Sequence, residues 1–408
     1  MNEFQAVITE PVPQWKDKFA IVGIGETDYT YHSGVSPTAL SLQAAKKAVD
    51  DAGLSVKDID GAIEGMAGLG ASNEEFQVAF GLDHLKFFSR GMGGGTAVLQ
   101  GLQTAMAALD AGLVNYAIVT IAWNNSSEMR LSDPSGTVAN LGGMLQGGEL
   151  GYTMQNWFAP YGMDGTGPWY SLVCQRYMHE YGLKSRHLGA IAATFRKHAL
   201  LNEKAMLREP LTIEDHQNSP ILVDPFHRWD FSLQTDGGGA FIVTTAERAK
   251  DLKQTPVYLM GIGVGHPQSP NNIYTRTELP WGHKWAAPIA YKMAGVTIKD
   301  IDFAELYDGF TFVALIQMPS LGFCKPEEAG PFCEEGNIEL GGKIPVNTHG
   351  GHCSQAHVLG INHVCEAVKQ LRGQAGDAQV KKNGKTAEIG IVTGAGDLGD
   401  GAVAILRR

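Results

Sequence analysis

The chain has 408 residues, beyond the size at which one hydrophobic core usually stops growing, so two domains or two fused halves are expected. It is 44% hydrophobic and 18% charged with a formal net charge of -11, a globular composition that argues against nucleic-acid binding, which feeds on Lys and Arg. The cysteines (Cys174, Cys324, Cys333, Cys353, Cys365) have neither CxxC pairing nor zinc-ligand spacing, and no run is long and apolar enough to span a membrane; a cytoplasmic protein with no metal, no nucleic-acid partner and no membrane contact is expected.

In chain order, residues 19–28 (FAIVGIGETD) have the pattern of a buried strand. Residues 44–62 (AAKKAVDDAGLSVKDIDGA) follow as a helix with small residues on one face, a Gly at its end, an acidic turn and a strand. Residues 89–112 (SRGMGGGTAVLQGLQTAMAALDAG) form a glycine-rich turn feeding a helix. Many α/β enzymes mount a Ser or Cys nucleophile on such an elbow, and here the elbow carries none. A buried strand is expected at 115–123 (NYAIVTIAW). An inserted loop domain, about 131–240, is rich in Gly, Trp, Tyr and Pro and then amphipathic. Further buried strands are expected at 239–246, 388–396 and 401–406.

An internal repeat organises these elements. Ala44, Ala45, Ala48, Ala52, Gly53, Lys57, Asp58, Ile59, Asp60 and Ala62 recur at constant spacing as Ala286, Ala287, Ala290, Ala294, Gly295, Lys299, Asp300, Ile301, Asp302 and Ala304. Just upstream, the strand at 19–28 is echoed by VYLMGIGVGH at 257–266. Two echoes in the same order point to duplicated α/β halves: 1–130, with its last strands after the insertion to about 250, and 250–408.

Two α/β halves, a long insertion and the segment VNTHGGHCSQAHVLGINHVCEAVKQLRG together resemble the thiolase superfamily, sterol-carrier type. The carrying residues are Gly350, Gly351, Ser354, His357, Leu359, Gly360, Glu366, the QLRG run at 370–373, and the DGGGA run at 236–240. The resemblance implies the thiolase fold: two βαβαβαββ halves forming a five-layered α-β-α-β-α core. It also implies where chemistry sits. The acyl-accepting Cys of thiolases falls on Gly91, a second catalytic Cys falls on the Gly394 turn, and the Asn or His of another motif falls on Tyr307 in Tyr307-Asp308-Gly309-Phe310. His357 alone of the usual set is retained.

This set of departures resembles the cysteine-less, thiolase-like steroid side-chain aldolases, often labelled lipid-transfer proteins. What that implies is retro-aldol cleavage of a β-hydroxyacyl-CoA to a ketone or aldehyde plus a shorter acyl-CoA, with coenzyme A as part of the substrate and no tightly bound cofactor. Those enzymes use two tyrosines; Tyr307 matches the first, and the second falls on His357. The resemblance further implies a homodimer pairing the strand at 115–123, and a small zinc-ribbon/OB-fold partner giving a heterotetramer. Two alternatives stand: a β-ketoacyl-CoA thiolase acting on an aromatic or other acyl group by direct attack of CoA or through Cys353, and a non-catalytic acyl-CoA- or lipid-binding subunit.

A retro-aldol step needs a base for the β-hydroxyl and donors for the enolate oxygen, not a covalent acyl-enzyme. Tyr307 and His357 are the candidates for proton transfer. Backbone N–H groups of Gly91, Gly93 and the rest of the elbow, with Gly394, are the candidates for enolate stabilisation. Cys353 is the rival nucleophile, with His352 and His349 flanking it as supporting residues. The basic cluster Arg196, Lys197 and His198 could meet CoA phosphates, and Asp308 could face the substrate.

Overall fold

The computed structural model describes residues 13–91, 93–127, 159–163, 165–266, 281–396 and 399–408. Part of the insertion, and Met92 in the elbow, lie outside the described residues. The main sheet contains β1 (Phe19–Glu26), β2 (Gly61–Glu64), β3 (Phe87–Arg90), β4 (Tyr116–Asn124), β5 (Asp236–Thr245), β6 (Val257–Gly265), β7 (Phe303–Glu305), β8 (Ile389–Ala395) and β9 (Gly401–Arg407). Their spatial order is β3-β2-β4-β5-β1-β6-β9-β8-β7.

That order reads the same outward from its middle up to β2 and β7; β3 has no counterpart strand among the described residues, where Ala304 and Val346 form only an isolated parallel bridge. β1 is followed by β5, β4 and β2, and β6 by β9, β8 and β7. The duplicated sequence has become a duplicated topology, and the two copies meet where β1 pairs antiparallel with β6 through Ala20–Tyr258 and Ile21–Val257.

Five layers follow from which helix touches which strand. α1 (Pro37–Ala52) covers β1, β4 and β5 on one outside, and α6 (His283–Ala294) covers β6 and β9 on the other. α3 (Ala97–Asp110) packs against β4 and β5 but also β8 and β9, and α9 (Ile361–Arg372) against β1, β5, β7 and β8. These two helices therefore lie between the halves, giving the α-β-α-β-α stack of the thiolase fold.

The repeated small residues now have a physical reason. A Cβ on Gly23 or Gly25 would come within 2.2 Å of the carbonyl oxygens of Ala48 and Ala44, and one on Gly261 or Gly263 within 2.2 Å of those of Ala290 and Ala286. Strand and helix backbones are nearly in contact, so Gly opposite Ala is required at both sites in both halves. The repeated acidic turn is equally literal. Asp58 accepts the Ser55 N–H at 2.7 Å and Asp300 the Thr297 N–H at 2.8 Å. Asp60 then anchors the start of β4 through the Tyr116 N–H, and Asp302 the start of β8 through the Ile389 N–H.

The described part of the insertion contributes α4 (Thr166–Tyr181), α5 (Ser185–Ala199), a helix at Ile213–Asn218 and a hairpin pairing Ile221–Val223 with Phe226–His227. α5 packs on α7 (Thr311–Leu321) and on the short α8 (Gly351–Ser354) of the C-terminal half.

One expectation is corrected. The strand after the elbow helix is interior: β4 is hydrogen-bonded to β2 on one side and along its whole length to β5 on the other. It has no free edge with which to pair a second subunit. Among the described residues the outer strands of the sheet are β3 and β7.

Candidate active site

Four backbone segments converge at one end of the sheet: the elbow before α3, the loop between β7 and α7, the turn from α8 to α9, and the end of β8. Tyr307 lies in the second. Its N–H donates to Thr393 Oγ1 at 3.0 Å, and its carbonyl accepts from Gln317 Nε2 at 2.7 Å. Thr393 Oγ1 in turn donates to Gln317 Oε1 at 2.6 Å, closing the loop onto β8. Asn347 holds the preceding residue from both sides, accepting the Leu306 N–H at 2.6 Å and donating to its carbonyl at 2.8 Å. The Tyr307 backbone is fixed by groups that take no part in chemistry.

The Tyr307 hydroxyl lies 3.0 Å from His357 Nε2. His357 Nδ1 lies 3.0 Å from Ser232 Oγ, and the His357 N–H donates to Thr235 Oγ1 at 3.1 Å. Trp123, near the end of β4, stands edge-on to the imidazole with ring centres 5.3 Å apart. Tyr307 and His357 are 6% and 9% exposed, so both act largely out of water. Burial, with the nearby His363, pushes the His357 imidazole down to about 3, which keeps it neutral across the physiological range.

The elbow comes to the same place through Gly95. A Cβ on Gly95 would sit 2.2 Å from Tyr307 Cζ and 2.3 Å from the Ala395 carbonyl oxygen. Gly394 packs on it as well, with its own Cβ position 2.6 Å from the Gly95 oxygen. Gly360 also lies against the Tyr307 ring, 3.3 Å from Cδ2 by the same measure. The tyrosine is enclosed by backbone, and glycine is what leaves room for it.

Several sequence expectations change at this resolution of detail. Gly91 is not an enolate donor: its N–H donates to the Glu64 carbonyl at 2.8 Å, and a Cβ there would meet the Gly65 oxygen at 1.9 Å. Gly93 holds the turn at φ 121°, its carbonyl accepting from Thr96 Oγ1 at 2.8 Å. Gly94 and Gly95 open the short 3-10 turn that leads into α3, at a helix start where the first N–H groups have no intrahelical acceptor.

Cys353 is not placed as a nucleophile. It is buried, its thiol is 3.5 Å from the Asp308 carbonyl oxygen, and burial with the Asp308 charge pushes it well above the usual thiol range. Asp308 is fully buried and faces no open space. It accepts the His352 N–H at 2.8 Å and the Cys353 N–H at 3.1 Å, fixing the α8 turn, and lies 3.0 Å from His363 Nε2. Asp308, His352 and His363 bring one ligand-type atom each within 4.8 Å of one another, but this carboxylate is already occupied by backbone donors.

His352 and His349 lie behind the pair. The His352 ring centre is 4.3 Å from that of His357, and its Nε2 is 3.1 Å from the Gly360 N–H, so it supports both the imidazole and the glycine under Tyr307. His349 Nδ1 lies 2.9 Å from Glu305 Oε2. Burial holds that imidazole down to about 3 and pushes the Glu305 carboxyl up to about 8, so the contact is between neutral partners.

The expectation for Arg196 is also corrected. Arg196 is 3% exposed, donates to Ser354 Oγ at 3.0 Å and the Glu209 carbonyl at 2.9 Å, and stacks over Trp229. It braces α8 from below and cannot reach a CoA phosphate. Lys197 is on the surface, paired with Glu339 at 2.6 Å. His198 is buried, with Nδ1 3.2 Å from the Asn347 carbonyl. Ser232, Thr235 and Trp123 were not singled out by sequence reasoning. The only available signal was their nearness to the 236–240 run and to the end of the strand at 115–123.

Comparison with known proteins places the chain among relatives of one family. Residues 273–408 match the family described as thiolase C-terminal domain-like. The chain is 36% identical over 385 residues (92% of this chain, 95% of the other) to a steroid side-chain-cleaving aldolase of Thermomonospora curvata. It is 37% identical over 361 residues (87% and 91%) to a 17-hydroxy-3-oxo-4-pregnene-20-carboxyl-CoA lyase of Mycobacterium tuberculosis. A solved structure described as "Ltp2-ChsH2(DUF35) aldolase" superimposes with a TM-score of 0.86 at 33% identity, covering 96% of this chain and 98% of that one.

Proposed function

The chain belongs to the thiolase superfamily, and from that membership we propose that its buried Tyr307–His357 pair cleaves a β-hydroxyacyl-CoA by a retro-aldol step. It is a carbon–carbon lyase acting on an acyl-CoA, of the steroid side-chain-cleaving kind. The observation that carries the residue assignment is the 3.0 Å contact between the Tyr307 hydroxyl and His357 Nε2, beside an elbow with no thiol.

In the cleavage direction the β-hydroxyl loses its proton to the pair, the Cα–Cβ bond breaks, and its electrons pass to the thioester as an enolate. A proton then returns to the enolate carbon, releasing a shorter acyl-CoA and a ketone or aldehyde. A positioned base of this kind contributes about 10²–10⁴-fold. The N–H groups opening the helix at Gly94 and Gly95 are the donors for the enolate oxygen, aided by the helix dipole and worth about 10²–10³-fold. Coenzyme A enters as part of the substrate.

Two features of assembly belong to the same reading. The related aldolase structure names a second component, ChsH2(DUF35), and this chain is proposed to work with a small zinc-ribbon/OB-fold partner in the same way. A homodimer is proposed through the edge strand β3, since β4 is enclosed.

The test is product analysis on panels of β-hydroxyacyl-CoA and β-ketoacyl-CoA. The expected result is cleavage of the hydroxy compound with no free CoA added. CoA-dependent cleavage of the keto compound alone would make the protein a thiolase instead. Tight acyl-CoA binding with no turnover, partner present, would make it a binding subunit.

A further inference from the structure

We propose that Ser232 is the third member of the catalytic arrangement, setting the tautomer of His357 and connecting the buried pair to water. The inference rests on the retro-aldol reading and names a residue that reading does not require.

Three polar groups follow one another: Tyr307 Oη meets His357 Nε2 and His357 Nδ1 meets Ser232 Oγ, each at 3.0 Å. Tyr307 and His357 are buried, whereas Ser232 is half-buried and reaches the surface. Because the imidazole is neutral, one of its nitrogens carries the hydrogen. If Tyr307 donates to Nε2, then Nδ1–H donates to Ser232; if Ser232 donates to Nδ1, then Nε2–H donates to Tyr307. The two patterns differ by moving every hydrogen one place along these groups, which carries one proton between Tyr307 and solvent.

The placement of Ser232 is over-determined. Its N–H donates to the Gly309 carbonyl at 3.2 Å, and Leu233 N–H to the His352 carbonyl at 3.0 Å. Phe231 and Phe310 form an antiparallel bridge, and Thr235 takes the His357 N–H. The segment before β5 is thus fastened to the Tyr307 loop and the His357 turn at once, with one hydroxyl on the imidazole ring and another on its backbone.

Each transfer balances. The β-hydroxyl O–H breaks as its electrons form the new carbonyl, and the proton enters at the Tyr307–His357 end. Nδ1–H is released to Ser232 and the serine hydrogen to water. The same path run backwards, or water, supplies the proton to the enolate carbon.

The test compares wild type with Ser232→Ala and Ser232→Thr in the purified protein, reading kcat, KM, Tm and the ¹⁵N spectrum of labelled histidine. Ser232→Ala should lower kcat by roughly 10- to 100-fold, less than loss of the base itself, with KM and Tm held. Ser232→Thr should restore kcat, and the His357 nitrogen signals should shift in the Ala variant alone. Unchanged kcat and unchanged ¹⁵N signals in Ser232→Ala, with an active wild type, would overturn the proposal. So would a loss of kcat that follows Tm and is not restored by Thr. If the wild type cleaves no β-hydroxyacyl-CoA, the retro-aldol reading fails, and the ¹⁵N arm still decides whether Ser232 sets the tautomer.

Discussion

Tyr307 and His357, fifty residues apart in the chain, meet at 3.0 Å between Oη and Nε2, with Gly95 and Gly360 packed against the tyrosine ring. An unperturbed tyrosine at about 10 is a weak base and an unperturbed histidine at about 6.5 a moderate one. Here the histidine is pushed down to about 3, below the ordinary proton affinity of an imidazole base at neutral pH. The hydrogen bond makes them one unit, in which proton loss at one atom is compensated at the other.

The depressed histidine fixes a pH dependence of turnover. With His357 neutral down to about 3, kcat should show no acid limb near 6.5. A profile of kcat between pH 5 and 8 checks this, and a fall centred near 6.5 would assign an ordinary, charged histidine to the site.

Stability carries the opposite signature. His198 is held down to about 4, and His283 and His349, like His357, to about 3, with burial the leading cause in each. The unfolded chain binds these protons near 6.5, so their contribution is complete above that pH and is lost as pH falls toward the folded values. Glu305, raised to about 8, works the other way: its contribution is complete below the unfolded value and is lost as pH rises toward 8. The histidines outnumber it. Thermal unfolding should show Tm falling steadily from pH 6.5 to 4.5, and a flat Tm across that window would contradict the burial of these groups.

The two elbow glycines should fail differently. Gly95→Ala places a methyl 2.2 Å from Tyr307 Cζ and 2.3 Å from the Ala395 carbonyl oxygen, and should cost roughly 10²-fold in kcat by displacing Tyr307, in addition to a loss of stability. Gly91→Ala drives a methyl into the Gly65 carbonyl and should show first as lost stability, of about 1–3 kcal/mol. Paired kcat and Tm measurements separate them; equal, purely catalytic losses would return Gly91 to the site.

Much of the fold was legible because the repeat records backbone contact. Gly23 against Ala48 and Gly261 against Ala290 admit no larger side chain, so both halves keep the same letters. Tyr307 and His357 were legible because they stand at motif positions. Ser232 was not, since it reaches the site from 125 residues before His357 and lies in no periodic pattern. Arg196 was misread because a basic helix face looks solvated until Trp229 and Ser354 fold over it. The strand at 115–123 was misplaced at an interface because its second neighbour, β5, comes after the insertion.

Two variants separate the two cations of α5. Lys197→Ala should leave KM for the acyl-CoA unchanged, because its partner is Glu339. Arg196→Ala should lower Tm by removing the brace under α8, at about 1–3 kcal/mol of stability for a buried cation hydrogen-bonded to a serine hydroxyl and a backbone carbonyl. A large rise in KM for Lys197→Ala would restore a CoA-binding role.

The most direct measurement is a double-mutant cycle on retro-aldol turnover of a β-hydroxyacyl-CoA, using Tyr307→Phe, His357→Ala and the double variant, each confirmed folded by Tm. Groups that act as a unit are non-additive. Each single variant should lose roughly 10²-fold or more in kcat, and the double should be no slower than the slower single. Near-full turnover in either folded single variant, or losses that multiply in the double, would contradict a catalytic Tyr307–His357 pair.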